Sequence, residues 1–152
     1  MRIDDLDTPF LMIDLGALEE NLDRYHSYFN EHGMGFRPHM KTHKTLEVAR
    51  MQLERGAVGL TCQKLGEAEV MASGGIDTDF LIPYNILGSQ KLDRLSALAK
   101  RTSVTVAADS EYTVRGLSEA ASSHDVTFNV LVETEMGFKR TGTASPAQGA
   151  EL

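Results

Sequence analysis

The 152-residue sequence has a single cysteine, Cys62, so no disulfide can form within the chain and a reducing, cytoplasmic setting is the expectation. It has no apolar run long enough for a signal peptide or a membrane span, and its opening, Met1-Arg2-Ile3-Asp4-Asp5, is acidic. Positive charge is scarce: 15 Lys and Arg against 22 Asp and Glu leave a net charge of -7. That balance argues against general affinity for nucleic acid or an anionic membrane, although a local basic cluster could still hold an anion. No Pro- or Ser-rich linker and no internal repeat divides the chain, so one domain is expected. What remains is an ordinary globular composition, 41% hydrophobic, at a length that supports one core.

Hydrophobic periodicity fills in that domain. Residues 10–15 (Phe-Leu-Met-Ile-Asp-Leu) read as a strand, followed by a helix in which Leu18, Leu22, Tyr25 and Phe29 recur at helical spacing up to His32-Gly33. Strand candidates at 35–40, 58–62, 79–83, 103–108 and 127–133 then alternate with helical stretches near 43–55, 65–73, 89–100 and 111–123. Ser89 reads as the opening of one helix, with Leu92, Leu95 and Leu98 as its apolar stripe, and Gly33, Gly56 and Gly74-Gly75 read as helix C-caps. Short apolar strands alternating with helices indicate an α/β fold with about five parallel strands. These fit an open doubly wound sheet or part of a (β/α)8 TIM barrel, which when complete needs roughly 250 residues. Ser145-Pro146 reads as an N-cap and N1 pair opening a final short helix, so the expectation is a chain cut within an element, with a frayed tail as the alternative.

The chemistry concentrates in Arg37-Pro38-His39-Met40-Lys41-Thr42-His43-Lys44. In an extended segment, period-two alternation puts Arg37, His39 and Lys41 on one face. Lys41 then emerges at a strand's C-terminal end, where α/β folds place their sites. A lysine amine is nucleophilic only when neutral, and neighbouring positive charge from Arg37 and His39 would favour that form. The same pattern also fits a solvated basic turn. His39 and His43 do not share a helical face, so zinc has little support and no metal ligand is assigned. Gln63 could reach the same sheet end as Lys41, or serve only as a loop amide. Asp109 and Ser110 read as helix caps. Gly137-Phe138-Lys139-Arg140-Thr141-Gly142 suits a loop approaching an anionic or phenolic oxygen, and it lacks both the P-loop and the dinucleotide-site glycine spacing.

These residues resemble the D-threonine aldolase and D-serine dehydratase group of pyridoxal-phosphate enzymes, whose barrel is of the alanine racemase N-terminal type. The resemblance is carried by Leu6-Asp7-Thr8-Pro9, by residues 37–44, by residues 59–68 (Gly-Leu-Thr-Cys-Gln-Lys-Leu-Gly-Glu-Ala) and by residues 131–142, in the group's order and spacing. It implies Lys41 as the Schiff-base lysine, Arg140 as the contact to the cofactor's phenolic oxygen, His39 and Gln63 as further cofactor-binding residues, and Lys44 as a neighbour. Lys139 departs from the group, many members of which have glycine there.

The resemblance further implies that residues 1–152 are the N-terminal part of the barrel. The remaining barrel strands, the phosphate site and a C-terminal β domain would lie outside, together with any divalent-metal ligands. It implies pyridoxal 5'-phosphate as cofactor, a small D-amino acid as substrate and a homodimer for the full-length form. The implied reaction is retro-aldol cleavage of a D-β-hydroxy amino acid to glycine and an aldehyde. Dehydration, racemisation, a non-catalytic cofactor carrier and an inactive truncated product are the alternatives.

Overall fold

Short Val-, Ile- and Leu-rich segments, each followed by a helix, leave little choice but parallel pairing, because a helical crossover returns the chain to the same end of the sheet. The computed structural model, which describes residues 2–152, has that arrangement. Strands β1 (Leu60–Thr61), β2 (Phe80–Ile82), β3 (Val104–Ala108) and β4 (Asn129–Val132) form one parallel sheet in the order β1-β2-β3-β4. Helices α1 (Leu15–Glu31), α2 (Leu46–Glu54), α3 (Leu65–Ser73), α4 (Ser89–Ala99), α5 (Glu111–His124) and α6 (Pro146–Ala150) complete the chain.

The register explains the core. Leu60 lies beside Phe80 and Phe80 beside Val104, and all three are buried; Ile82 and Val106 form the next buried row. Leu65, Ala68 and Met71 of α3, Leu95 and Leu98 of α4 and Leu117 of α5 pack on these rows. Consecutive strand order with right-handed crossovers puts these helices on one face of the sheet. This is the α/β fold of parallel strands alternating with helices that the sequence indicated.

Two strand expectations need correction. Residues 10–14 belong to no strand and have no ladder partner, and Leu11, Met12 and Ile13 are exposed. Asp14 caps α1, its carboxylate accepting from Ala17 N–H at 3.0 Å. Residues 35–40 supply a fifth sheet position without a full strand. Val58 N–H donates to the Phe36 carbonyl and Thr61 N–H to the Pro38 carbonyl, but the ladder is reduced to a single bridge between His39 and Thr61. Pro38 has no N–H to offer a ladder, and the chain turns into a 3-10 turn at Met40–Thr42. Helix starts agree with the sequence: α4 opens at Ser89, with Gly88 as its N-cap, and Ser145 caps α6 with Pro146 at its start.

Candidate functional site

The 3-10 turn after His39 places Lys41 at the C-terminal end of the sheet. His39 caps this turn, its Nδ1 accepting from the Lys41 backbone N–H at 3.3 Å. The Lys41 ammonium group donates to Gln63 Oε1 at 3.5 Å. Gln63 is held in turn: its backbone N–H donates to Glu67 Oε2 at 2.8 Å, and the other carboxylate oxygen of Glu67 pairs with Lys44 at 3.5 Å. Glu67 thus joins the segment after β1 to the one that carries Lys41 and Lys44, and Lys44, with φ at 53°, pairs with it.

Lys41, His39 and Gln63 line a cavity of about 430 Å³ together with Tyr84 and a loop that contributes Glu133 to Met136, Phe138, Arg140 and Thr141. The structure therefore gathers all four residues singled out from the sequence. It also reveals how Arg140 is presented. Glu135 accepts from the N–H groups of Gly137 and Lys139 at 2.6 and 2.7 Å. Burial pushes the Glu135 carboxyl upward, but backbone N–H groups from Lys139 and its neighbours outweigh it and hold the group below the usual range. Glu133 accepts from the Thr141 hydroxyl at 2.9 Å, and Asp109 from Gly142 N–H at 2.9 Å. Three carboxylates are thus engaged by residues flanking Arg140, while its guanidinium makes no hydrogen bond or ion pair among the described residues. An exposed guanidinium with its nearby counter-charges already occupied is suited to an oxygen anion from outside the chain.

The electrostatic argument for Lys41 changes in the structure. Arg37 does not act on it, because its guanidinium pairs with Asp79 at 2.7 Å and donates to the Asp79 carbonyl at 2.8 Å. Asp79 precedes β2, so this pair sits at the opposite, N-terminal end of the strands. Gly59 makes room for it: at φ 152° its Cα lies so close to the Arg37 guanidinium and the Asp79 carbonyl that a Cβ would collide with both. His39 supplies no charge either. Burial first, and the Lys41 charge second, push its imidazole below the ordinary value, against weaker opposing contributions from Gln63, Glu67 and Thr61.

The remaining candidates are structural. His43 Nδ1 accepts from Thr45 N–H at 3.1 Å inside the chain turn, away from His39. No group of three or more His, Cys, Asp or Glu poised for a metal occurs among the described residues. Cys62 is fully buried and its thiol is pushed up to about 12. Ser110 caps α5 as expected, but Asp109 does not; it bridges Asn85 Nδ2, at 2.8 Å, and Gly142. Sequence reasoning missed this bridge, Glu67 and the Glu133 and Glu135 contacts, because a carboxylate beside a helix start or a glycine looks like an ordinary cap or surface group. A larger cleft of about 810 Å³ meets the cavity at Gln63 and Tyr84, but its floor is Met40, Leu65, Val70 and Met71, and its Lys44 and Arg94 pair with Glu67 and Glu69. Lys41 and the unpaired Arg140 guanidinium line the smaller cavity.

Comparison with known proteins places these features in context. The family profile described as alanine racemase, N-terminal domain, matches residues 13–152. A 3-hydroxy-D-aspartate aldolase of Paracoccus denitrificans is 37% identical over 97% of this chain, which spans 38% of that protein. A D-threonine aldolase of Arthrobacter sp. is 35% identical over 93% of this chain and 37% of its own length. The crystal structure of D-threonine aldolase from Filomicrobium marinum superposes with a TM-score of 0.95 at 39% identity, over 99% of this chain and 40% of that one. The chain therefore spans about two fifths of the length of the relatives it matches. No helix among the described residues is long and apolar enough to cross a membrane.

Proposed function

Because the chain belongs to the alanine racemase N-terminal domain family, we propose that it carries the cofactor-binding lysine of a pyridoxal-phosphate-dependent lyase acting on D-β-hydroxy amino acids. The observation that carries this reading is the shared cavity. It brings together a lysine amine and an unpaired guanidinium, with each nearby carboxylate already bonded to the chain's own donors. That donor set fits an aromatic aldehyde bearing an ionised oxygen: Lys41 would hold the aldehyde carbon covalently and Arg140 would face the oxygen. Pyridoxal phosphate, when bound, supplies an electron sink for the bond that breaks.

The chain's own contribution is placement. His39, kept neutral, fixes the turn that carries Lys41 through the bond to its backbone N–H. Gln63 Oε1 accepts from the Lys41 side chain and orients it, and Glu67 fixes Gln63. Residues 1–152 supply the N-terminal strands of a longer barrel in this reading. The relatives named as aldolases support cleavage of the Cα–Cβ bond in the whole protein, giving glycine and an aldehyde, as its reaction.

Addition of pyridoxal phosphate to the chain, borohydride reduction and peptide mapping test the assignment. Cofactor mass is expected on Lys41 in preference to Lys44 and Lys64, with loss of the protein-bound absorbance band in Lys41→Ala. An unchanged band in that variant overturns the reading. With the whole protein, release of glycine from D-threonine supports the aldolase; a keto acid as the product instead identifies a dehydratase.

A further inference from the structure

We propose that Asp109 is a positioning residue for Arg140: its carboxylate anchors the loop after β4 to the rest of the fold and so fixes where the guanidinium stands. This rests on the reading of the cavity above. Asp109 follows the last residue of β3, and its two oxygens reach in opposite directions. Oδ1 accepts from Asn85 Nδ2 in the segment after β2, and Oδ2 accepts from the backbone N–H of Gly142, two residues beyond Arg140. One side chain thereby ties together the segments that follow three adjacent strands. It is free to do so because Ser110 performs the capping of α5.

The Arg140 loop is closed within itself. Thr143 N–H donates to the Glu133 carbonyl at 2.8 Å and Glu135 N–H to the Thr143 carbonyl at 2.9 Å, while Glu133 and Glu135 hold the interior. Gly142, at φ 101°, is pressed so closely on the loop's start that a Cβ would fall 2.6 Å from Glu135 N and 2.7 Å from the Thr134 carbonyl carbon. Such a loop keeps its shape as a body. Among the described residues, the hydrogen bond from residues 134–142 that leaves the segment 133–145 is the one from Gly142 to Asp109. A charge-assisted bond of this kind is strong for its class. Without it the loop can swing about its base, and a displacement of about 1 Å at a binding group can cost on the order of a hundredfold in function.

Asparagine in place of Asp109 should preserve the bridge. Its oxygen can accept from Gly142, and its new amide can donate to Asn85 Oδ1, which is buried without a partner, once the Asn85 amide turns over. Alanine loses both bonds. The test therefore compares Asp109→Ala, Asp109→Asn, Arg140→Ala and the double alanine variant by two readouts: hydrogen exchange of residues 134–142 in the cofactor-free chain, and pyridoxal-phosphate affinity from the protein-bound absorbance. Asp109→Ala is expected to speed exchange in 134–142 while β1 to β4 stay protected, and to weaken cofactor binding about tenfold, with no further loss when Arg140 is already alanine. Asp109→Asn is expected to match the unchanged chain in both. Unchanged exchange in Asp109→Ala, or an affinity loss that simply adds to that of Arg140→Ala, overturns the proposal. Should Asp109→Ala fail to fold, Asp109→Ser, which keeps a polar group but is too short to reach both Asn85 and Gly142, is read the same way. An unchanged absorbance band in Lys41→Ala would instead defeat the reading of the cavity, and the exchange result would still decide whether Asp109 holds the loop.

Discussion

Lys139 occupies the left-handed region at φ 49°, where an L side chain costs roughly 1–2 kcal/mol. Its N–H bond to Glu135 at 2.7 Å compensates for that strain and keeps the turn before Arg140 closed. Lys139→Gly is expected to raise stability by about 0.5–1 kcal/mol, since part of the relief is lost to the freer unfolded chain; urea denaturation monitored by circular dichroism checks it, and a loss of stability would contradict the strain assigned here. In the sequence Lys139 is only a basic residue between Phe138 and Arg140; the structure puts its backbone in the left-handed conformation that glycine favours. That Lys41, His39, Gln63 and Arg140 come to one end of the sheet was legible because each lies at a strand end or in a punctuated turn, and all four line one cavity. The role of Arg37 was misread because period two places side chains on a face but says nothing of which end of the sheet they serve. Asp79, the partner that decides the matter, is 42 residues away in the chain.

At the scale of elements, helix starts carry most of the local specification. Asp14 is the side-chain cap of α1, and Asp14→Ala is expected to cost about 1 kcal/mol. A shift in the urea midpoint with an unchanged slope is the expected signature, and no shift would show that the cap is replaced by solvent. The same residue explains why the sequence misled over 10–15: an apolar run before a cap looks like a strand, but a strand also needs a neighbour to pair with, and pairing is not written in the run itself. Residues 36–39 illustrate the converse. They have a neighbour, yet Pro38 lacks the N–H and the following turn ends the ladder after one bridge. The strands at 60–61, 80–82, 104–108 and 129–132 and the helices between them were legible because burial and periodicity coincide there.

For the whole molecule, buried His26 and half-buried His39 and His43 set the response to acid. His26, His39 and His43 are all held below the ordinary imidazole value of 6.5, with burial the largest cause in each. Each stays neutral in the fold while its unfolded counterpart takes up a proton, so the unfolded state binds more protons below about pH 6.5. The stability they contribute is complete above that pH and is lost as pH falls through the folded values. Unfolding free energy from urea titrations is therefore expected to decline between pH 7.5 and 5.5, ahead of the carboxylates, and a flat profile over that interval would contradict the assignment.

The order β1-β2-β3-β4 has a consequence for how the sheet is made. Leu60 meets Phe80, Phe80 meets Val104 and Thr105 meets Asn129, so each strand pairs with the one synthesised just before it. During N-to-C synthesis every new strand finds its template already in place, and the sheet can grow by addition at one edge without waiting for a distant partner. The most recently added edge is the one that carries the loop with Arg140, so its guanidinium arrives at a cavity whose Lys41 wall has already been built.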